Sequence, residues 1–265
     1  MAVSAKDLVR NGVKEKLSRD ELVVSMTVRL VRTIEIAEIA RSAGFDTFYI
    51  DLEHSSFSLE TTGQIFMAGL ALGITPLVRI ADTSPQSIGR VLDGGALGVI
   101  APHVQSASDA KAIVDAAKFP PLGNRGFTGS LPHLRFKAFP TKEVFAAMND
   151  ATMVVVMIES AEALAQVDEI AAVVGVDMLF IGSNDLASSL GIPGELDHRM
   201  IRDAYAQSLA ACRKHGKHLG IGGLVAYPKL AAEMVELGCR YLSTGTDLSF
   251  LLNGATAKAK QARGT

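Results

Sequence analysis

Residues 33–54 read Thr33-Ile-Glu-Ile36-Ala-Glu-Ile39-Ala40-Arg-Ser-Ala43-Gly44-Phe45-Asp46-Thr47-Phe-Tyr-Ile50-Asp51-Leu52-Glu53-His54. In the first half Ile36, Ile39, Ala40 and Ala43 recur at i, i+3, i+4 and i+7, one face of an amphipathic helix. Gly44 follows, and glycine closes helices because it reaches the left-handed conformation without steric cost. Thr47–Leu52 is then a short run of β-branched, aromatic and apolar residues, the composition of a strand. It ends on charge, at Asp51, Glu53 and His54.

The rest of the chain repeats this unit. Strand-like runs recur at Val23–Val28, Thr75–Ile80, Gly98–Val104, Met153–Ile158, Asp177–Ile181, His218–Ile221 and Tyr241–Thr244. Helical stretches lie between them at Leu59–Leu72, Ser106–Lys118, Ala161–Val174, Asp197–His215 and Lys229–Leu237, with Pro85 and Pro228 near helix starts. Gly73, Gly175, Gly216 and Gly238 follow helices as Gly44 does. Eight strands alternating with helices predict a parallel sheet with crossover helices. A closed (β/α)8 barrel takes about 250 residues. An open doubly wound sheet places a glycine-rich loop after its first strand, and Arg29-Leu-Val-Arg32 has no glycine. The expected fold is therefore α/β, a (β/α)8 TIM barrel over residues 23–265 as one domain, with residues 1–22 as a lead-in. Residues 119–139, rich in Pro and Gly and carrying Arg125, His133, Arg135 and Lys137, are too long for an ordinary connection and read as a lid or binding loop, or else as disordered.

Composition narrows the function. Lys plus Arg is 26 and Asp plus Glu 28 in 265 residues, a net charge of −2, which argues against nucleic acid or anionic membrane as partner. Cys212 and Cys239 form no C-x-x-C pair, so the expected setting is reducing and cytoplasmic. The N-terminal residues lack the apolar core of a signal peptide, and no stretch is long and apolar enough to span a membrane.

In a barrel the active site forms at the C-terminal ends of the strands. Those ends carry Asp51-Leu-Glu53-His54, Arg79, Pro102-His103, Glu159-Ser160, Ser183-Asn184-Asp185 and Thr246-Asp247. Each has a bland alternative. Asp247 is well placed to cap a helix, Arg79 could be a structural ion-pair partner, and His215 and His218 read as surface residues. His54 differs, because neighbouring carboxylates can orient it. Carboxylates without a Cys or a His pair make a hard oxygen site suited to Mg²⁺ or Mn²⁺. Lys217 stands at the start of a strand, the wrong end for a Schiff base. The sequence motifs of nucleotide phosphate loops are absent.

Five segments together carry a family resemblance. They are Gly44–His54, Pro76-Leu-Val-Arg79, Leu92-Asp93-Gly-Gly-Ala96-Leu-Gly98-Val-Ile-Ala-Pro102, Met157-Ile158-Glu159 and Phe180-Ile-Gly182-Ser-Asn-Asp185-Leu-Ala-Ser-Ser-Leu-Gly191. In order and spacing they resemble HpcH/HpaI-type class II pyruvate aldolases, over about Val23 to Leu252. The resemblance implies a divalent metal (Mg²⁺, Mn²⁺ or Co²⁺) on Glu159 and Asp185, with no nucleotide, pyridoxal phosphate or Schiff-base lysine. It implies pyruvate held by Arg79 and by Ser183, Asn184 and Asp185. His54, oriented by Asp51, would act as acid/base through a metal-bound water, with Glu53 in support. It further implies a trimer or hexamer, with Asp93 supplied by a neighbouring subunit and the C-terminal helix in the contacts. The reaction would be reversible addition of pyruvate enolate to an aldehyde, with oxaloacetate decarboxylation as a side activity. Met157 stands where the family commonly has Gln, and Ser183-Asn184 replaces a Pro/Ala pair. Both departures bear on substrate preference. Two alternatives remain open at this stage: a CoA-thioester lyase of the malyl-CoA or citrate lyase type, and a barrel that binds an oxo acid without turnover.

Overall fold

The structure, a computed structural model, describes residues 3–264. Eight parallel strands close a barrel in sequence order: β1 (Val23–Val28), β2 (Thr47–Asp51), β3 (Thr75–Arg79), β4 (Gly98–Ala101), β5 (Met153–Ile158), β6 (Met178–Gly182), β7 (His218–Gly222) and β8 (Tyr241–Thr246). β1 closes the barrel on β8 across a register shift between Ser25 and Thr27. The expected (β/α)8 architecture is the observed one.

The strand faces alternate as a closed barrel requires. Ile50, Val78, Val99, Val156, Ile158, Leu179 and Ile181 pack outward into the layer shared with the helices. Tyr49, Leu77, Ile100, Val155, Met157, Phe180 and Tyr241 fill the interior. Gly220 and Gly222 make room for an aromatic there, since a Cβ on either would lie 2.8 Å from the Phe180 ring.

Local differences from the expected elements have local causes. The helix in the opening stretch runs Glu35–Ser42; Ile36, Ala37 and Ala40 are buried, whereas Ile39 turns outward. The stretch 161–174 forms two helices, Ala161–Ala165 and Val167–Ala172, broken at Gln166. Helices Ala5–Leu8, Gly12–Ser18 and Thr141–Ala151 have no counterpart in the sequence reading. Among the described residues no helix is long and apolar enough to cross a membrane.

Residues 119–139 correct an expectation. They follow the helix Ala107–Ala117, which returns from the C-terminal ends of the strands, so they begin at the opposite end of the barrel. Arg125 donates to Asp93 there at 2.7 Å and stacks on Phe119; the ring of His133 meets the Ala96 carbonyl at 3.0 Å. Burial pushes His133 down to about 4, so it stays neutral. With Ala5, Val9, Leu97, Leu131, Leu134 and Met148 this segment builds a floor and is no lid over its own chain's strand ends. The helix Gly12–Ser18 completes the floor by inserting Val13 and Leu17 into the interior cluster. Asn11 pins it by donating to the carbonyls of Leu97 and Ala151.

Candidate active site

At the other end of the barrel the polar strand ends meet. Asp51, the last residue of β2, is fully buried. Its carboxylate accepts from Arg79 Nε at 2.8 Å, Arg79 Nη2 at 2.6 Å and Arg29 Nε at 2.5 Å, and from the N–H groups of Glu53 and His54 at 3.2 Å each. Burial alone would raise its pKa; the hydrogen bonds and charges of Arg79 and Arg29 outweigh that and hold it below the usual carboxylate range. Arg79 is raised in turn, because Asp51 outweighs the burial that would lower it.

Glu53 stands next in the chain of contacts. Its Oε2 is buried without a hydrogen bond, 3.0 Å from Arg79 Nη1 and 3.6 Å from His54 Nε2. Its Oε1 lies 2.9 Å from His103 Nε2, and His103 Nδ1 lies 3.2 Å from Glu159 Oε1. Glu159, one residue past β5, also accepts the His103 backbone N–H at 2.6 Å. Its pKa is raised, first by burial and then by the like charges of Glu53 and Asp185, which the His103 contacts only partly offset. Gly182 permits the approach of β6, for a Cβ there would lie 3.0 Å from Glu159 Oε2 and from Met157 Cε. Met157 is buried beneath Glu159 and presents only apolar atoms where a Gln would offer an amide.

Asp185 lies in the first turn of the helix Ser183–Ser189, on the same rim and exposed. Gly182 provides no side-chain cap, so the first N–H groups of that helix have no intrahelical or capping partner. Ser183 is buried and its hydroxyl is committed to Tyr205 Oη and the Gly222 carbonyl, so only its backbone faces the site's chemistry. Asn184 is exposed.

One expected relationship is revised, that of Asp51 to His54. Asp51 holds the backbone N–H of His54, while the carboxylate nearest the ring is Glu53; the imidazole itself is exposed at the mouth. Asp93 lies at the floor, paired with Arg125, and is not brought to its own chain's site. Asp247 is not the cap expected of it: Thr246 caps the helix, its hydroxyl accepting from the Ser249 N–H at 3.0 Å, and Asp247 is the first helical residue, with its main partners outside its own helix. It accepts the N–H groups of Arg29, Leu30 and Val31, fixing the turn after β1. His215 pairs with Asp168 on the outer surface, and Lys217 donates to the carbonyls of Val173 and Val176 at the floor end.

Arg29 is the site residue the sequence reading missed; His103 stood among the strand ends without an assigned role. The signal for Arg29 was available: it follows the last residue of β1, the position that singled out the other strand-end charges. His103 has φ +58°, and only this left-handed turn brings its ring between two carboxylates.

A family model for HpcH/HpaI aldolase/citrate lyase matches residues 29–254. The chain is 40% identical over 248 residues to the 4-hydroxy-4-methyl-2-oxoglutarate aldolase of Hapsidospora irregularis, covering 92% of each. It is 32% identical over 252 residues to the 4-hydroxy-2-oxo-heptane-1,7-dioate aldolase of Salmonella typhimurium, covering 95% of this chain and 94% of the relative. The crystal structure of an HpcH/HpaI aldolase from Desulfitobacterium hafniense superposes with a TM-score of 0.91 at 31% identity, covering 97% of this chain and 98% of that one. The barrel, its ordered strand-end motifs and these matches over nearly the whole length agree that the chain belongs to the HpcH/HpaI aldolase/citrate lyase family.

Proposed function

We propose that the barrel mouth catalyses reversible aldol chemistry on 2-oxo acids, cleaving a 4-hydroxy-2-oxo acid to pyruvate and a carbonyl compound. The observation that carries this is that His103 joins Glu53 and Glu159 at 2.9 and 3.2 Å beside the guanidinium that Asp51 locks in place, with Asp185 on the same rim. The relatives named above are aldolases of 4-hydroxy-2-oxo acids, which supports the same carbon–carbon lyase activity here.

The donor set fits a hard divalent ion such as Mg²⁺, Mn²⁺ or Co²⁺. Glu159 and Asp185 would hold it. Burial and the like charges of Glu53 and Asp185 raise the Glu159 pKa, so added positive charge there would favour its ionised form. Among the described residues no group of three or more His, Cys, Asp or Glu side chains is placed to hold a metal ion by itself, so the two carboxylates would need substrate and water oxygens to complete the coordination. A bound metal supplies a Lewis acid that polarises the keto acid and stabilises the enolate.

The chain's own groups do the rest. Arg79 offers positive charge, rigidly held, to the oxygen on which the enolate charge develops. The open N–H groups at Asn184 and Asp185 hold the carboxylate of pyruvate. His54, exposed and near Glu53, takes the proton of the C4 hydroxyl; the C3–C4 bond breaks, its electron pair forms the enolate, and C3 is then protonated to give pyruvate. Asp51 positions both Arg79 and the backbone of His54. Pyruvate release from a 4-hydroxy-2-oxo acid, followed with a coupled dehydrogenase, is expected with Mg²⁺, Mn²⁺ or Co²⁺ and to vanish with chelator. Release that survives chelation would refute the metal role, and none on any such acid would refute the aldolase.

The working unit is proposed to be a cytoplasmic homo-oligomer, a trimer or hexamer. The helix Asp247–Arg263 buries only Asp247, and Leu248, Leu251 and Leu252 are 50–62% exposed. A second copy of this chain would cover that apolar face, and Asp93, remote from its own mouth, could serve a neighbour's. Light scattering is expected to show an oligomer that Leu251→Asp with Leu252→Asp reduces to monomers; a monomeric wild type at micromolar concentration would refute it.

A further inference from the structure

Three arginines stand at the mouth, and they differ in how many of their nitrogens are held. Arg79 is bidentate to Asp51, with its third nitrogen 3.0 Å from Glu53. Arg32 donates Nη1 to the Ser56 carbonyl and Nη2 to the Ser56 hydroxyl, and lies over the Phe57 ring at 4.8 Å. Arg29 differs. Only its Nε is used, on Asp51 Oδ2 at 2.5 Å; its Nη1 and Nη2 hydrogen-bond to no described residue.

Arg29 is also firmly placed. Its backbone N–H donates to Asp247 Oδ1 at 2.9 Å, and the next two N–H groups donate to Oδ2 at 2.9 and 2.8 Å. Arg29 Nε and Arg79 Nη2 share the same oxygen of Asp51, so the two guanidiniums stand side by side over one buried carboxylate. The side chain of Arg29 is 33% exposed, against 10% for Arg79, so it lies nearer the rim. A guanidinium fixed at Nε and open at its two NH₂ groups matches the fork of a carboxylate.

We propose that Arg29 binds a second carboxylate of the substrate, the one carried by the carbonyl fragment beyond C4. The chain is then selective for dicarboxylic 4-hydroxy-2-oxo acids and, in the addition direction, for an acceptor that is itself an anionic oxo acid. This deepens the aldolase assignment and rests on it. Arg29 takes no proton and forms no bond to a reacting atom; cleavage still moves the C4 hydroxyl proton to the base and the C3–C4 electron pair into the enolate.

The test compares pyruvate release from 4-hydroxy-4-methyl-2-oxoglutarate and from 4-hydroxy-2-oxopentanoate, which lacks the second carboxylate. Wild type is expected to favour the dicarboxylate at least about tenfold in kcat/KM. Arg29→Leu should lower that preference ratio by about 10- to 100-fold, mainly through KM, as loss of a charged hydrogen-bonding contact does. Arg29→Lys, which keeps the charge without the fork, should restore part of it. If Arg29 only supports Asp51, both substrates lose the same factor and the ratio stands, which overturns the proposal. Wild type favouring the monocarboxylate overturns it too. Should Arg29→Leu fail to fold, the Arg29→Lys ratio and the wild-type preference decide. Deuterium exchange into the pyruvate methyl group separates the two levels. Wild type that neither exchanges nor cleaves refutes the aldolase and this proposal together; exchange and cleavage with an unaltered ratio refute Arg29 alone.

Discussion

Glu159→Gln should lower metal-dependent pyruvate formation by about 10³-fold or more. The substitution keeps the side chain's shape, and the amide oxygen can still accept the His103 N–H that Glu159 accepts at 2.6 Å. It removes the charge that would hold the metal with Asp185. Lewis-acid stabilisation of a developing enolate amounts to several kcal/mol, and each 1.36 kcal/mol is tenfold in rate. Metal binding followed by calorimetry should weaken in parallel. Stability should move the other way. Glu159 is a buried carboxylate whose pKa burial and its acidic neighbours raise, so the metal-free variant should melt no lower than metal-free wild type at neutral pH. Activity retained within tenfold would remove Glu159 from the metal site. A sharply lowered melting temperature would show that the residue holds the fold instead.

Asp51→Asn should be the more damaging change to the molecule as a whole. Asp51 has no solvent access and neutralises two guanidiniums. An amide would turn an NH₂ donor toward one of those donors and leave buried positive charge unpaired. Breaking a buried ion pair from one side costs about 3–5 kcal/mol, which in a domain of this size lowers Tm by about 10 °C. The pH dependence has a definite sign. Asp51 is held below its ordinary value of 3.8, so its contribution is complete above that value and is lost as pH falls through the lower folded value. Denaturation curves at pH 7 and pH 3 should therefore differ less in the variant than in wild type. Equal Tm values for variant and wild type at pH 7 would refute this account of the cluster.

The rhythm of the fold was legible because it rests on local chemistry. Gly44, Gly73, Gly175, Gly216 and Gly238 all have φ between +64° and +118°, a conformation that a side chain at Cβ would strain. Each marks where a helix stops and the chain turns toward its next strand. Strand-end charges at Asp51, Arg79 and Glu159 were legible for the same reason, since a charge at the end of an apolar run must find partners. The pairing among them was not. Closure of the barrel decides that Arg29 and Arg79 share Asp51 and that His103 bridges Glu53 and Glu159, contacts between residues 22 to 56 positions apart. The segment 119–139 misled through its composition. Arginine, histidine and glycine in a long loop suggest a binding element, yet the direction of the preceding helix delivers the segment to the floor.

That floor makes the barrel a blind well. Val13 and Leu17 fill its lower end, and the aromatic and apolar side chains above them pack the interior. Whatever enters must leave by the way it came. Glu159 and Arg29, 7% and 33% exposed, both face that single opening. In the proposed cleavage both products then leave through one mouth, and in the addition direction both reactants share one entrance.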